Sequence, residues 1–144
     1  MPVGKKSPKK DTKTKKIEKV PSGRGIIHGS FSFNNTILRL TKENGDALGK
    51  TFSAGNVDPG NGKKVTGTRK GTSSMAEKTA EEIIKAAAEF GIRDIVEIRA
   101  RGIGAGRDLV IKRILGEKSL NVGALGDATP IPHGGCRPRK RPRK

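Results

Sequence analysis

The sequence predicts a single α/β domain with basic, disordered arms at both ends. Three observations carry this reading. The first third alternates apolar and polar residues over strand-length runs. The second half repeats a strand, glycine-rich turn and helix succession. The charge excess sits at the two ends. The expected sheet is mixed: a three-stranded antiparallel meander joined to two parallel strands, with two main helices packed on it.

The chain has 144 residues and a formal net charge of +17. Residues 1–24 hold nine basic and two acidic side chains, and residues 129–144 hold six basic and none acidic. The middle, with 16 basic and 12 acidic residues, is nearly balanced. Such a distribution suits a polyanion. No stretch nears the roughly 20 apolar residues of a membrane span, and no basic stretch has an apolar interfacial face, so nucleic acid is preferred and no membrane partner is expected. Four Phe and no Tyr or Trp speak against stacking on an aromatic sheet face and favour phosphate and shape contacts. The single cysteine, Cys136, rules out a disulfide framework. With no apolar leader segment, a reducing intracellular compartment is expected.

Residues 1–22 are Lys-rich and poor in large apolar side chains, and read as a disordered arm. Residues 23–128 form the expected domain. In residues 25–33, Ile27, Phe31 and Phe33 share one side of a half-buried strand. Residues 36–41 make the second strand. Asn44-Gly45, a turn pair suited to positive φ at both centres, leads to a third at residues 47–54. Residues 55–71 form a long loop with Lys63, Lys64, Arg69 and Lys70 against one Asp58. Loops of this length are usually functional or mobile.

A helix starts at Thr72 or Ser74, with Ser74-x-x-Glu77 as a capping box. Ala76, Ala80, Ile83 and Ala87 form its inner stripe, Phe90 lies near the edge, and Gly91 ends it. Its outer face carries four acids and two Lys, which suits solvent or a protein neighbour better than RNA. Residues 94–101 are a strand. A second helix follows with Leu109, Val110, Ile111, Ile114 and Leu115 as its apolar face. Residues 120–125 close the sheet, and strand–helix–strand links favour parallel pairing.

Residues 129–144 are a Pro/Arg/Lys-rich tail. Proline blocks helix and central strand, and from Arg137 onward no side chain is apolar. Such a segment orders only around a partner. The Thr129-Pro130-Ile131-Pro132-His133 lead-in gives it a stiff exit path.

Gly102-x-Gly104-x-Gly106-Arg107 lies between a strand and a helix. Its backbone amides and the helix dipole can receive a phosphate, with Arg107 gripping it. A tight turn that needs glycine is the equal alternative. A nuclease would draw on Asp94, Glu97 and Asp127. Residues three apart on a regular strand face opposite sides, so Asp94 and Glu97 share a metal only across a bulge. His28 and His133 lack metal-ligand spacing, and Cys136 reads as a small side chain packed in a close contact. No catalysis, cofactor or metal is expected.

The chain resembles the universal small-subunit ribosomal protein family S11 from about residue 25 to the end. The motifs are Phe33-Asn34-Asn35-Thr36, Ser53-Ala54-Gly55, Arg69-Lys70-x-Thr72, the Gly102–Arg107 run, and Asp127-x-Thr129-Pro130-Ile131-Pro132-His133 followed by Gly135-Cys136-Arg137-Pro138. It departs from the family pattern at Gly134, where Asn is usual, at Ser73, where Pro often stands, and in a longer loop without the aromatic-Lys-Gly element.

The resemblance implies binding to small-subunit rRNA at the platform near the mRNA exit and E site, with ribosomal-protein neighbours. It implies that Asn34 and Asn35 brace the first hairpin and touch RNA, and that Arg69, Lys70 and Arg107 meet phosphates. It places His133, Arg137, Arg139, Lys140 and Arg141 between RNA helices. With Lys63, Lys64, Gly104, Gly106, Arg143 and Lys144, these are the expected RNA-binding residues. A cytoplasmic ribosome is expected and an organellar one is compatible; no homo-oligomer is expected. A non-ribosomal nucleic-acid chaperone is the alternative, separated by its indifference to the nucleic acid offered.

Overall fold

The computed structural model describes residues 23–58 and 64–141. Strand β1 (Arg24–Phe31) pairs antiparallel with β2 (Thr36–Lys42), and β2 pairs with the two-residue β3 (Phe52–Ser53). Helix α1 (Ser73–Glu89) leads to β4 (Asp94–Arg101), which lies parallel to β1. Helix α2 (Arg107–Leu115) then leads to β5 (Asn121–Asp127), parallel to β4. The sheet order is β3-β2-β1-β4-β5. This is the expected mixed sheet with two helices.

The crossovers β3 to β4, through α1, and β4 to β5, through α2, step in one direction across the sheet. A constant crossover hand therefore puts both helices on the same face. Ile27, Phe31, Leu38, Leu40, Ile95, Ile98 and Ala100 from the strands meet Ala76, Ala80, Ile83, Ala87, Val110 and Ile114 in one buried cluster. Among the described residues, no helix lies on the opposite sheet face.

Several expectations change. The first strand ends at Phe31, and Phe33 lies in the following turn, 73% exposed. The hairpin turn at Asn44-Gly45 forms, but only Gly45 has positive φ, at 89°. Gly45 donates to the Lys42 carbonyl and Lys42 to that of Asp46, the pattern of a turn closed by a glycine bulge. The bulge twists the returning chain away, so the third strand shrinks to one bridge, Thr41 to Ala47, and the short β3.

Helix α1 starts one residue before Ser74, so no capping box forms. Thr72 stands at the N-cap without a side-chain cap bond, and its hydroxyl donates to the Arg69 carbonyl at 2.8 Å. The C-terminus is as expected. Gly91, at φ 71°, donates to Ala88, and Ile92 donates to Ala87, which together satisfy two terminal carbonyls. On α2 only Val110, Ile111 and Ile114 are buried; Leu109 and Leu115 are exposed, because a nine-residue helix presents one narrow stripe to the sheet.

A bulge on β4 changes the facing of its acids. Gly25 pairs with Ile95, but Ile26 pairs with Glu97. Ile95 and Ile98, three apart, are therefore both buried, and Asp94 and Glu97 share the open face instead of opposing it. Glu97 holds Arg99 at 2.7 Å, Asp94 accepts from the Asn121 side-chain Nδ2 at 3.4 Å, and no group of three metal-ligating side chains occurs among the described residues.

The loop after β3 is anchored where it is described. Ala54, Val57, Val65 and Met75 form a second small buried cluster, and a 3₁₀ turn (Gly67–Gly71) runs into α1.

Ile83 is fully buried between α1 and the sheet. Ile83→Ala should lower unfolding stability by about 2–5 kcal/mol. The urea midpoint should fall with an unchanged slope; a loss under about 1 kcal/mol would contradict this packing.

Candidate nucleic-acid interface

The sequence-predicted residues that are described gather mostly at one end of the sheet. The carboxyl ends of β1 and β4 meet there, which is where open α/β sheets commonly hold ligands. Four segments converge: the turn after β1, the 3₁₀ turn before α1, the glycine loop before α2, and the root of the tail.

The turn is closed locally. The Ser32 amide and hydroxyl both donate to the Asn35 carbonyl, and the Asn35 amide donates back to the Ser32 hydroxyl, all at 3.0 Å. The Asn35 side-chain oxygen accepts from the Thr36 amide at 3.0 Å. Asn35 therefore spends its oxygen on bracing the hairpin, while Asn34 is exposed. Gly71 abuts this turn so closely that a Cβ would overlap the Phe33 carbonyl. Arg69 and Lys70 are thereby held beside Asn34. Arg69 is exposed, and Lys70 lays its stem along Gly55.

The glycine loop is a tight crossing. Gly102 has φ 94°, and a Cβ there would overlap the Phe31 carbonyl. Gly104 and Gly106 have no room for one either, against the Ser32 carbonyl and the Ala76 methyl. Three of the loop amides are already engaged. Gly102 donates to the Thr129 hydroxyl at 3.0 Å, Gly104 to the Phe31 carbonyl at 3.2 Å, and Arg107 to the Gly104 carbonyl at 3.1 Å. Asp108, in the first turn of α2, adds a negative charge. The close crossing thus accounts for the glycines on its own.

Arg107 is also engaged within the chain. It donates to the Gly102 carbonyl at 3.0 Å and pairs with Asp127 at 3.0 Å. Asp127 in turn accepts from the Thr129 amide at 2.9 Å and its hydroxyl at 2.6 Å. These Thr129 bonds, followed by Arg107, hold the Asp127 carboxyl down at about 2. Asp127, Thr129 and Arg107 form a clasp that fixes where the tail leaves the domain. Its sequence signal is the Asp-x-Thr spacing, in which a short acid caps the backbone two residues on.

Beyond the clasp, residues 130–141 form neither helix nor strand and are exposed, including His133, Arg137, Arg139, Lys140 and Arg141. Cys136 is exposed as well, not packed, because the chain has already left the domain. Lys64 is exposed. Lys63, Arg143, Lys144 and the expected N-terminal arm lie outside the described residues. The sequence reading placed Phe33 inside the first strand, but it stands two residues beyond the strand end, with its ring in solvent beside Asn34.

The fold and this end of it define a class: a small basic α/β protein with exposed cationic side chains beside the carboxyl end of its sheet and along its tail. The family model for Ribosomal protein S11 matches residues 25–143. A small ribosomal subunit protein uS11 from Nautilia profundicola is 41% identical over 135 residues, covering 94% of this chain and 97% of that one. Those from Chlamydia trachomatis serovar A and Burkholderia cenocepacia are 38% and 37% identical, covering 94% and 90% of each chain. The chain belongs to the ribosomal protein S11 family, whose members are structural proteins and not enzymes.

The Asp127 carboxyl is held below its ordinary range, so the clasp is complete above that range and opens as pH falls through about 2. Carboxyl NMR should find Asp127 titrating near that value, and Asp127→Asn should broaden the Thr129 amide signal at neutral pH. An ordinary Asp titration would mean that no clasp forms.

Proposed function

We propose that this protein is a structural constituent of the small ribosomal subunit. It binds small-subunit rRNA at the platform, near the mRNA exit and the E site, mainly through phosphate contacts. The observation that carries this reading is a near-neutral domain that delivers a basic, proline-stiffened tail from a fixed root. A tail that only raised solubility would need no clasp.

In this reading Arg137, Arg139, Lys140 and Arg141 thread between RNA helices, with His133 at the entry and Arg143 and Lys144 at the end. Asn34, Lys63, Lys64, Arg69 and Lys70 meet RNA at the end of the sheet. Asn35 acts through the turn that it braces. Gly104 and Gly106 let the backbone come close. Arg107 has five N–H donors, and those not turned to Gly102 and Asp127 are left for a phosphate.

The outward face of α1, with Glu77, Glu81, Glu82 and Glu89, suits a neighbouring ribosomal protein and repels RNA. The protein works on the ribosome, as one copy beside its neighbours and close to the mRNA path. The uS11 relatives carry the small-subunit assignment in their names, and the family resemblance of the tail supports the platform.

Deleting residues 137–144 should leave the domain folded and weaken binding to small-subunit rRNA. The slope of log K against log salt should flatten by ~0.7–0.9 for each phosphate that the tail no longer neutralises. Titration from low to moderate salt, with unrelated duplex DNA as competitor, checks this. An unchanged slope overturns the role of the tail. Equal binding to the DNA points to a general nucleic-acid chaperone instead.

A further inference from the structure

The sheet face away from the helices carries side chains that the tail and the loop crossing do not use. The register sets Arg39 of β2 opposite His28 of β1, and His28 opposite Arg99 of β4. One step along, Ile37, Ser30 and Arg101 form the next row. Arg39, Arg99 and Arg101 are exposed. These rows line a shallow depression that reaches Ala128, next to the root of the tail.

Like charges brought together across neighbouring strands are unfavourable. The free protein moderates this in two ways. Burial, then Arg99 and Arg39, push the His28 pKa down against the pull of Glu97, which favours the neutral ring between the two arginines. The His28 ring bonds to the Thr41 hydroxyl at 3.2 Å. Glu97 holds Arg99 from one side. Arg39 and Arg101 have no ion-pair partner among the described residues. The acids on this face are Glu97 and, at its far end, Asp94, which pairs in register with Arg24.

We propose that the open face of the sheet is a second RNA-binding surface, on which Arg39, Arg99 and Arg101 hold backbone phosphates. This rests on the rRNA-binding reading above and extends it to residues outside the tail and loops. Three features choose RNA over a protein partner. The charge is predominantly of one sign. Among the described residues the face has no aromatic side chain, and its sizeable exposed apolar groups, Ile37 and Val96, are only 39% and 37% exposed, whereas protein interfaces centre on aromatic and apolar anchors. The depression also runs into the tail root, so one nucleic-acid strand could pass from sheet to tail. Arginine suits the task because its planar fork grips a phosphate with two bonds.

Full-length protein and small-subunit rRNA are sufficient for the test. The triple variant Arg39→Gln, Arg99→Gln, Arg101→Gln should keep its circular-dichroism spectrum, since all three side chains are exposed. It should flatten the salt slope by ~2–3, at ~0.7–0.9 for each of the three phosphates. Glu97→Gln should do the opposite, raising affinity and steepening the slope by releasing Arg99. A helix-side control of equal charge change, Lys85→Gln, Lys112→Gln, Lys118→Gln, should leave the slope close to wild type.

Equal losses in the two triple variants would reduce the effect to net charge and overturn the proposal. An unchanged slope in the arginine variant, while tail deletion still flattens it, overturns this surface alone and leaves it to a protein neighbour. Failure of the wild-type protein to bind rRNA overturns the functional reading itself.

Discussion

One-sided burial is the constraint on which the rest of the structure depends. Both crossovers, β3 to β4 and β4 to β5, run in the same direction across the sheet, so α1 and α2 must share a face. Ile83, Ala80 and Ile114 close that face over Ile27, Leu40 and Ile98. All the large apolar residues of the strands are used there except Ile26, which is nonetheless buried, and Ile37, Val96 and Leu125, which stay partly exposed. What remains, among the described residues, is a face without helices and an end where loops cross. Both are free to be polar and charged, because neither is needed for the core.

The loop crossing at that end turns backbone sterics into direction. Gly102, Gly104 and Gly106 let the chain pass over Phe31, Ser32 and Ala76 at distances that no side chain would permit. The crossing brings Arg107 to Asp127 and Gly102 to Thr129. A tail with no apolar residue beyond Cys136 is thus aimed by polar contacts at its base. Aiming reduces the number of orientations it must lose on binding, which is one route to affinity from an unchanged set of side chains.

Much of this was legible in the sequence, and the misses have physical causes. The mixed sheet followed from periodicity and from the strand–helix–strand rhythm. The inner stripe of α1 followed from Ala76, Ala80, Ile83 and Ala87, all of which are buried. The third strand was overread, because a bulge at Gly45 is a matter of backbone geometry that the Asn-Gly pair does not specify alone. The bulge after Ile95 left no sequence mark, and it altered which acids share a face. Leu109 and Leu115 look like core residues in composition, yet a short helix cannot turn five apolar side chains inward. At the interface, the basic residues were found by charge. The Asp127 clasp was not, because an acid beside an arginine far along the chain is brought to it only by the fold.

The small buried patch of Ala54, Val57, Val65 and Met75 bears on how this chain can change over evolutionary time. It ties both ends of the segment between residues 57 and 65 to the body of the protein. Closing a loop between fixed ends costs only ~0.6 kcal/mol more for each doubling of its length. Residues can therefore be inserted or deleted within that segment while the strands, helices and loop crossing keep their positions, which makes it a place where lineages can diverge in length without refitting the core.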